Sequence, residues 1–406
     1  MPIPFAEARR LILEHVRILG VERLPLLAAA GRVLAEEVVA PCDLPHCDIS
    51  AMDGYAVRTA DCRPGTLLEV TGFIPAGGRP QPAVTAGCAV KIMTGAPVPA
   101  GCDAVAPVEE TEERPGSVRI LQPVSPRRHI RYRGEDVAEG DVVIPAGALI
   151  RPPEISMLAS LGRVMLPIRR RPRVAIVSTG DELVEPGETR QAGQIVNSNA
   201  FSLAAAVQEC GGEPALLGIA RDDRESHRQL LGAGLDYDVL ITSAGVSVGD
   251  RDLVREILAE LGVRQVFWKA AIQPGRPIAF GVRDNVPVFS LPGNPVATLI
   301  TFEMFVRPAL LHMQGHAGVV RPTIKVRLCE PAKKKPGRVR FLRVQVRASE
   351  SGLVASTAGD QNTGILRTMV RANGIGILPA EAQQFAAGDE IDVHLLDPIW
   401  TLREGA

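Results

Sequence analysis

The chain has 406 residues, of which 46% are hydrophobic and only 4% aromatic, with 45 basic and 46 acidic side chains. That length exceeds one ordinary core and predicts two to four domains. A net charge of −1 excludes a general nucleic-acid binder and a polybasic membrane binder. The short basic runs Arg127-Arg128, Arg169-Arg170-Arg171 and Lys333-Lys334-Lys335 read as solvated loops. The start, Met1-Pro2-Ile3-Pro4, lacks the basic and apolar regions of a signal peptide, and no uninterrupted apolar stretch approaches membrane-spanning length. Seven cysteines (Cys42, Cys47, Cys62, Cys88, Cys102, Cys210, Cys329) fit neither a zinc spacing nor a disulfide framework. Reduced thiols in a cytoplasmic protein are expected.

Residues 1–40 read as helical: Ala6, Leu11, Ile12, Val16 and Leu19 form an apolar stripe stopped by Gly20, and a second helix is expected over Leu26–Glu37. From 41 to 133, Pro- and Gly-rich segments with short alternating runs, such as Leu67–Val70 and Ser117–Ile120, predict a small β-rich module. Helical periodicity returns near Glu154–Leu158, so the module is an insertion in an elongated helical region formed by 1–40 and 134–170. Over 171–317 strands alternate with helices. Strands at Val174–Val177, Val239–Thr242 and Val286–Phe289 each close on a small polar residue, and helices are expected near 199–210, 223–232 and 251–261. A doubly wound parallel sheet is the natural architecture. Residues 318–406 alternate apolar and polar side chains over Thr323–Leu328, Val344–Val346 and Ile391–Leu395, which predicts a small C-terminal β-barrel.

Parallel strands would bring three turns to one sheet edge, where open α/β sheets bind ligands. These are Ser178-Thr179-Gly180-Asp181-Glu182-Leu183, Ser243-Ala244-Gly245-Val246-Ser247-Val248-Gly249-Asp250-Arg251-Asp252 and Ser290-Leu291-Pro292-Gly293-Asn294-Pro295. Glycines and hydroxyls suit phosphates and oxyanions, because backbone N–H groups can point inward. Asp181, Glu182, Asp250 and Asp252 suit a magnesium ion bridging to phosphate, although Asp250 and Asp252 also read as helix N-caps. Within Trp268–Pro277, Lys269 and Arg276 flank a Pro-Gly turn and can hold a dianion between a point charge and a planar fork. The β module adds Ser50-Ala51-Met52-Asp53-Gly54-Tyr55-Ala56, Met93-Thr94-Gly95-Ala96 and, at its boundary, Arg133-Gly134-Glu135-Asp136.

In this order and spacing, these segments resemble the molybdopterin molybdenumtransferase family, the bacterial MoeA proteins and the E domain of gephyrin, over nearly the whole chain. The resemblance implies a last step of molybdenum cofactor synthesis: molybdenum from molybdate enters adenylylated molybdopterin and AMP is released. It implies an elongated homodimer with its site in a cleft between subunits; magnesium is expected from the carboxylates and a cytoplasmic location from the reduced thiols, with molybdopterin adenylyltransferase as a further expected partner. By motif match the functional positions fall on Asp53, Thr94, Asp136, Glu182, Asp222, Asp252, Lys269, Pro292 and Pro295, with Glu182 and Asp252 as metal ligands. The C-terminal part of the match adds Arg338, Arg343 and Thr363. The substrate turns further supply Ser178, Thr179, Gly180, Ser247, Gly249, Asp250, Gln273, Arg276, Ser290, Gly293 and Asn294. Two departures stand out: the family's Lys-Pro-Gly is Gln273-Pro274-Gly275 here, and its Gly-Gly-Val-Ser is Ala244-Gly245-Val246-Ser247. Gln273 can donate hydrogen bonds to an oxyanion without neutralising it. Two other readings fit the same motifs: a tungsten-inserting paralogue, and a gephyrin-like scaffold that retains the fold for binding.

Overall fold

The computed structural model describes residues 1–79, 83–245, 253–350 and 352–396. Its contacts divide the chain into two compact units, one of residues 1–35, 147–151 and 166–406, the other of 36–146 and 152–165.

The N-terminal segment is only partly helical. Helix α1 (Phe5–His15) buries Ala8 and Ile12, four residues apart on one face, and Val16 follows them into the core. Ala6, expected on that stripe, is exposed. The second helix expected over 26–37 is replaced by strand Val21–Pro25, which pairs with Met165–Arg169, and a 3-10 turn Leu26–Ala29. Alternation over Val21–Pro25 favours extension, and Gly31 at φ +73° breaks any helix running past it.

The second unit is built on a six-stranded mixed sheet of β1 (Gly54–Val57), β2 (Leu67–Ile74), β3 (Cys88–Ile92), β4 (Ala104–Pro107), β5 (Thr111–Arg114) and β6 (Ser117–Ile120), in the order β4-β1-β3-β2-β6-β5. The two runs read from the sequence pair directly, with Leu68 opposite Val118, both buried. Helix α2 (Pro152–Ser160) completes the described helices of this unit.

In the first unit the central sheet contains β7 (Arg173–Thr179), β8 (Glu213–Ala220), β9 (Val239–Ser243), β10 (Arg264–Trp268), β12 (Ala279–Arg283) and β13 (Val286–Leu291); the short β11 (Ile272–Gln273) lies outside it. The order is β8-β7-β9-β13-β12-β10. The first four strands are parallel; β12 pairs antiparallel with β13, and β10 antiparallel with β12. The sheet is therefore mixed rather than wholly parallel: Asp284 at φ +53° closes a tight β12–β13 hairpin where a helix would have to cross over. Helices α3 (Ser198–Glu209), α4 (Arg224–Gly234) and α5 (Leu253–Glu260) lie where periodicity places them.

A continuous helix, α6 (Pro295–Met313), follows β13. Its middle, Phe302–Val306, widens into a π turn just before Pro308, which has no N–H for the i−4 ladder. By length and composition α6 could cross a membrane, but it is 78% buried in the fold, so core packing accounts for its apolarity. Phe305 and Ile300 of α6 join Ile12, Phe280, Phe289 and Phe341 in one large core cluster.

The C-terminal strands β14 (Thr323–Leu328), β15 (Val339–Ser349), β16 (Gly352–Thr357), β17 (Gly374–Leu378) and β18 (Glu390–Leu395) close a barrel in the ring order β15-β16-β14-β18-β17-β15. Leu342, Val344 and Val346 fill it, while Phe341, on the opposite face of β15, packs edge-on to Phe5 at 5.3 Å.

One ion pair fixes the entry to β9. Asp238 accepts from both terminal nitrogens of Arg170 (2.7 and 2.8 Å) and from the Arg173 N–H (2.8 Å). Burial pushes its carboxyl up, but these donors outweigh it and hold it below the ordinary carboxylate range. A carboxylate with a lowered folded pKa stabilises above its unfolded value, about 3.9, and loses that contribution as pH falls through the folded value. Asp238→Asn is expected to cost about 2 kcal/mol at pH 7, and the gap to the parent to shrink in acid, as read from urea midpoints at pH 7 and pH 3. A gap that stays constant in acid refutes this role.

Candidate active site

Register aligns the carboxyl ends of the parallel strands: Ser178 pairs with Ser243, and Ser243 with Leu291. The residues that follow, Gly180, Ala244 and Pro292, consequently leave the sheet along one edge, as the sequence predicts, and a cavity of about 820 Å³ opens there. Its walls include Thr179, Glu182, Gly245, Pro292, Gly293, Asn294 and Pro295, together with Lys269 and Arg276.

Two asparagines missed in the sequence organise this edge. Asn197 accepts from the Ser178 hydroxyl (2.7 Å) and donates to Glu185 (3.2 Å). Asn199, in the first turn of α3, donates to Ser243 Oγ (2.9 Å) and to the Gly293 carbonyl (2.8 Å), tying two of the turns together. The signal was present: Asn197-Ser198-Asn199 has the composition of a helix start, where amide and hydroxyl side chains satisfy free backbone groups.

Backbone geometry exposes what the turns need. Ala244 and Lys269 hold φ of +75° and +76°, a region that non-glycine residues rarely adopt. Ala244 is thus strained at the position where the resemblance has glycine. Gly180 sits at φ +133°, and a Cβ there would lie 2.3 Å from Glu182 Oε2, so the carboxylate folds back over the glycine. Glu182 is the sole carboxylate on the cavity wall among the described residues, and it shares that wall with the cations Lys269 and Arg276.

Other predicted residues lie away from the cavity wall. Ser178 and Ser290 are buried. Gln273 is exposed on β11 and does not line the cavity. The Asp222 N–H donates to the Asp181 carboxylate (3.1 Å), so Asp222 braces the first turn from outside. Arg343 is fully buried: its guanidinium donates to the carbonyls of Asp360 (2.9 Å) and Asn362 (3.2 Å), which holds the loop carrying Thr363. Thr363 Oγ1 in turn accepts from Asn294 Nδ2 (3.2 Å), linking the barrel to the cavity rim. The Arg338 carbonyl accepts from Lys334 Nζ (2.9 Å). Ser247, Gly249, Asp250 and Asp252 lie outside the described residues.

Asp53, Thr94 and Asp136 belong to the second unit. There the Thr94 N–H and hydroxyl both donate to Asp53 Oδ1 at 2.7 Å. These two bonds, the backbone one first, hold the Asp53 carboxyl below its ordinary range. Asp136 is exposed and its N–H donates to the Leu44 carbonyl (3.0 Å).

No group of three metal-ligating side chains occurs among the described residues. The donor set on the cavity wall, one carboxylate, suits magnesium only in company with substrate phosphates, the usual mode for that ion.

Comparisons with known proteins agree with this geometry. The chain matches the MoeA N-terminal region (domain I and II) over residues 3–162, a probable molybdopterin binding domain over 175–312 and the MoeA C-terminal region (domain IV) over 325–396. It is 38% identical over 398 residues to molybdopterin molybdenumtransferase 2 of Mycobacterium tuberculosis, covering 95% of this chain and 98% of that protein. It is 37% identical over 384 residues to the molybdopterin molybdenumtransferase of Haemophilus influenzae, covering 92% and 95%. The crystal structure of a molybdopterin biosynthesis MoeA protein from Pyrococcus horikoshii superimposes with a TM-score of 0.84 at 31% identity, covering 97% of this chain and 100% of that one. The chain belongs to the molybdopterin molybdenumtransferase (MoeA) family and is a transferase of molybdenum cofactor biosynthesis.

Proposed function

We propose that this chain inserts molybdenum, taken as molybdate, into adenylylated molybdopterin and releases AMP. The observation that carries the reading is the cavity at the sheet edge, which two cations, Lys269 and Arg276, and one carboxylate, Glu182, line together with glycine- and proline-fixed turns. Lys269 and Arg276 attract and orient the molybdate dianion or the substrate's phosphates. The Pro292–Pro295 turn holds its backbone rigid at the start of α6, so a bound anion meets fixed N–H dipoles rather than mobile water. Glu182 would hold magnesium together with substrate phosphate oxygens; the ion supplies charge neutralisation on the leaving AMP. A cytoplasmic location accords with seven free cysteines. Molybdopterin adenylyltransferase, the class of enzyme that makes the adenylylated substrate, is the partner this reaction needs upstream.

The deciding experiment incubates the purified protein with adenylylated molybdopterin and magnesium, with and without molybdate, and follows AMP and finished cofactor. Molybdate-dependent release of AMP with cofactor in equal amounts is expected. AMP release without cofactor, or neither product, overturns the reading.

We also propose that the active form is a homodimer. The apolar stripe of α1 does not drive this association, because it is already buried within its own unit. Exposed apolar side chains remain instead at Ile18, Val21, Leu27 (79% exposed) and Leu149 of the first unit and at Val164 (73%) of the second. Burying such side chains against a second copy would favour association. Light scattering at micromolar concentration is expected to report twice the 43.3 kDa chain mass. A monodisperse monomer refutes it, and Leu27→Glu is expected to shift the equilibrium toward the monomer.

A further inference from the structure

Two successive residues after β9 hold left-handed backbone, Ala244 at φ +75° and Gly245 at φ +72°. Gly245 must be glycine: a Cβ there would lie 2.2 Å from Val254 Cγ2. Ala244 carries a side chain where glycine would sit without strain. Its backbone gives no reason for one, because the Ala244 N–H donates to the Leu291 carbonyl (3.1 Å), a bond that glycine makes equally well. Strain of this kind gathers at functional sites, held there by the surrounding structure.

The methyl group stands in the seam between the Ser243–Gly245 turn and the Pro292–Pro295 turn. A Cβ on Gly293 would meet it there, 3.2 Å from the Ala244 Cβ and 3.7 Å from its Cα. Both sides of the seam are pinned. Asn199 Nδ2 donates to Ser243 Oγ (2.9 Å) on one side and to the Gly293 carbonyl (2.8 Å) on the other. From α6, Thr298 Oγ1 donates to the Pro292 carbonyl (2.5 Å). The turns therefore do not close up when the methyl is removed, and a gap of about one water remains, with the Ser243 hydroxyl and the Gly293 carbonyl to hold that water. Ala244 and Gly293 both line the cavity, so the gap opens onto the ligand space.

We propose that Ala244 is a specificity-determining residue: its methyl group keeps water out of this seam, so that the anhydride of the adenylylated substrate does not react with water before molybdate arrives. The assignment rests on the reading that the substrate's phosphates lie against these two turns. The reaction it suppresses is plain hydrolysis. A water oxygen bonds to one phosphorus of the anhydride, and the bond from that phosphorus to the bridging oxygen breaks. The bridging oxygen leaves with the electron pair on the other phosphate, the proton passes to solvent, and AMP appears without cofactor. Excluding water from a closed site prevents side reactions of this type.

The test follows AMP and cofactor from adenylylated molybdopterin and magnesium, with and without molybdate, beside urea unfolding of each variant. Ala244→Gly is expected to release AMP about tenfold faster than the parent without molybdate, and to release AMP in excess of cofactor with it. Its urea midpoint is expected to stay at the parent's, because relief of strain offsets the lost contact and the added freedom of the unfolded chain. Gly293→Ala in that background returns a methyl group to the seam from the other side. Gly293 has no left-handed φ, and with the Ala244 methyl gone its new Cβ meets the neighbouring Cα at an ordinary 3.7 Å. The double variant is expected to bring molybdate-free AMP release back to within about twofold of the parent. Gly293→Ala alone sets two methyl groups 3.2 Å apart and is expected to lose stability without gaining molybdate-free release. Unchanged molybdate-free release in Ala244→Gly, or release that stays raised in the double variant, overturns the proposal. So does an Ala244→Gly protein that unfolds earlier than the parent, since the methyl then serves the fold. The insertion reaction fails separately: if no variant makes cofactor that reaction is refuted, and molybdate-free AMP release still decides the role of Ala244.

Discussion

Glu182→Gln is expected to lower molybdate-dependent AMP release about a hundredfold or more while leaving the thermal midpoint within a degree or two of the parent, the size of loss seen when one preorganised electrostatic group is removed. The side chain lies on a turn at the cavity wall, not in an apolar core, so the amide removes charge at little packing cost. Gly180 provides a second route to the same defect. A methyl group there would sit 2.3 Å from Glu182 Oε2 and 2.7 Å from Oε1, and the flexible carboxylate, being the part that can give, would swing out of place. Gly180→Ala is therefore expected to reproduce the catalytic loss, with an added folding cost of about 1–3 kcal/mol because φ +133° is a glycine conformation. The double variant is expected to release AMP no more slowly than the slower single variant, since both act through one carboxylate. Normal AMP release by Glu182→Gln refutes the role. A double variant whose losses multiply refutes the link between Gly180 and Glu182.

What could be read from the sequence divides along physical lines. The strand ends at Ser178, Ser243 and Ser290 were legible because buried parallel strands are short apolar runs that stop on small polar residues, and the register brings these three residues within one position of each other. β8 was not legible: Glu213–Ala220 is an edge strand, half-buried for most of its length and interrupted by Pro214 and Gly218, so it lacks the apolar run. The antiparallel β12–β10 pair was not read as strands, because the two prolines of Gln273–Pro277 between them dominate the local signal. The burial of Arg343 is a tertiary fact: an arginine on an alternating strand reads as exposed, and only barrel closure shows it bonded to the carbonyls of Asp360 and Asn362. The same holds for Gln273, whose exposure depends on β11 joining the barrel instead of lining the cavity.

Lys269 offers the sharpest separation of function from folding. At φ +76° it occupies a left-handed conformation that costs a non-glycine residue about 1 kcal/mol or more, and nothing in its backbone bonding demands a side chain: its N–H donates to the Ile278 carbonyl (2.8 Å) and its carbonyl accepts from the Ile3 N–H (3.1 Å). Glycine would make the same two bonds without the strain. Lys269→Gly is thus expected to fold at least as stably as the parent, while Lys269→Ala keeps the strain and gains nothing. Both lose the ammonium from the cavity wall, and the molybdate concentration for half-maximal cofactor formation is expected to rise about ten- to a hundredfold, the effect of removing an opposite charge a few ångströms from a partly desolvated dianion. Lys269→Arg keeps the charge but replaces a compact point donor with a planar fork, so it is expected to recover part of the loss only. The strain is tested by chemical unfolding and the charge by cofactor formation at two salt concentrations, where screening narrows the gap to the parent. A Lys269→Gly protein that unfolds earlier than Lys269→Ala refutes the backbone argument. One that forms cofactor at the parent's molybdate concentration removes Lys269 from the anion site and leaves the Pro292–Pro295 turn, with Arg276, as the group that holds the dianion.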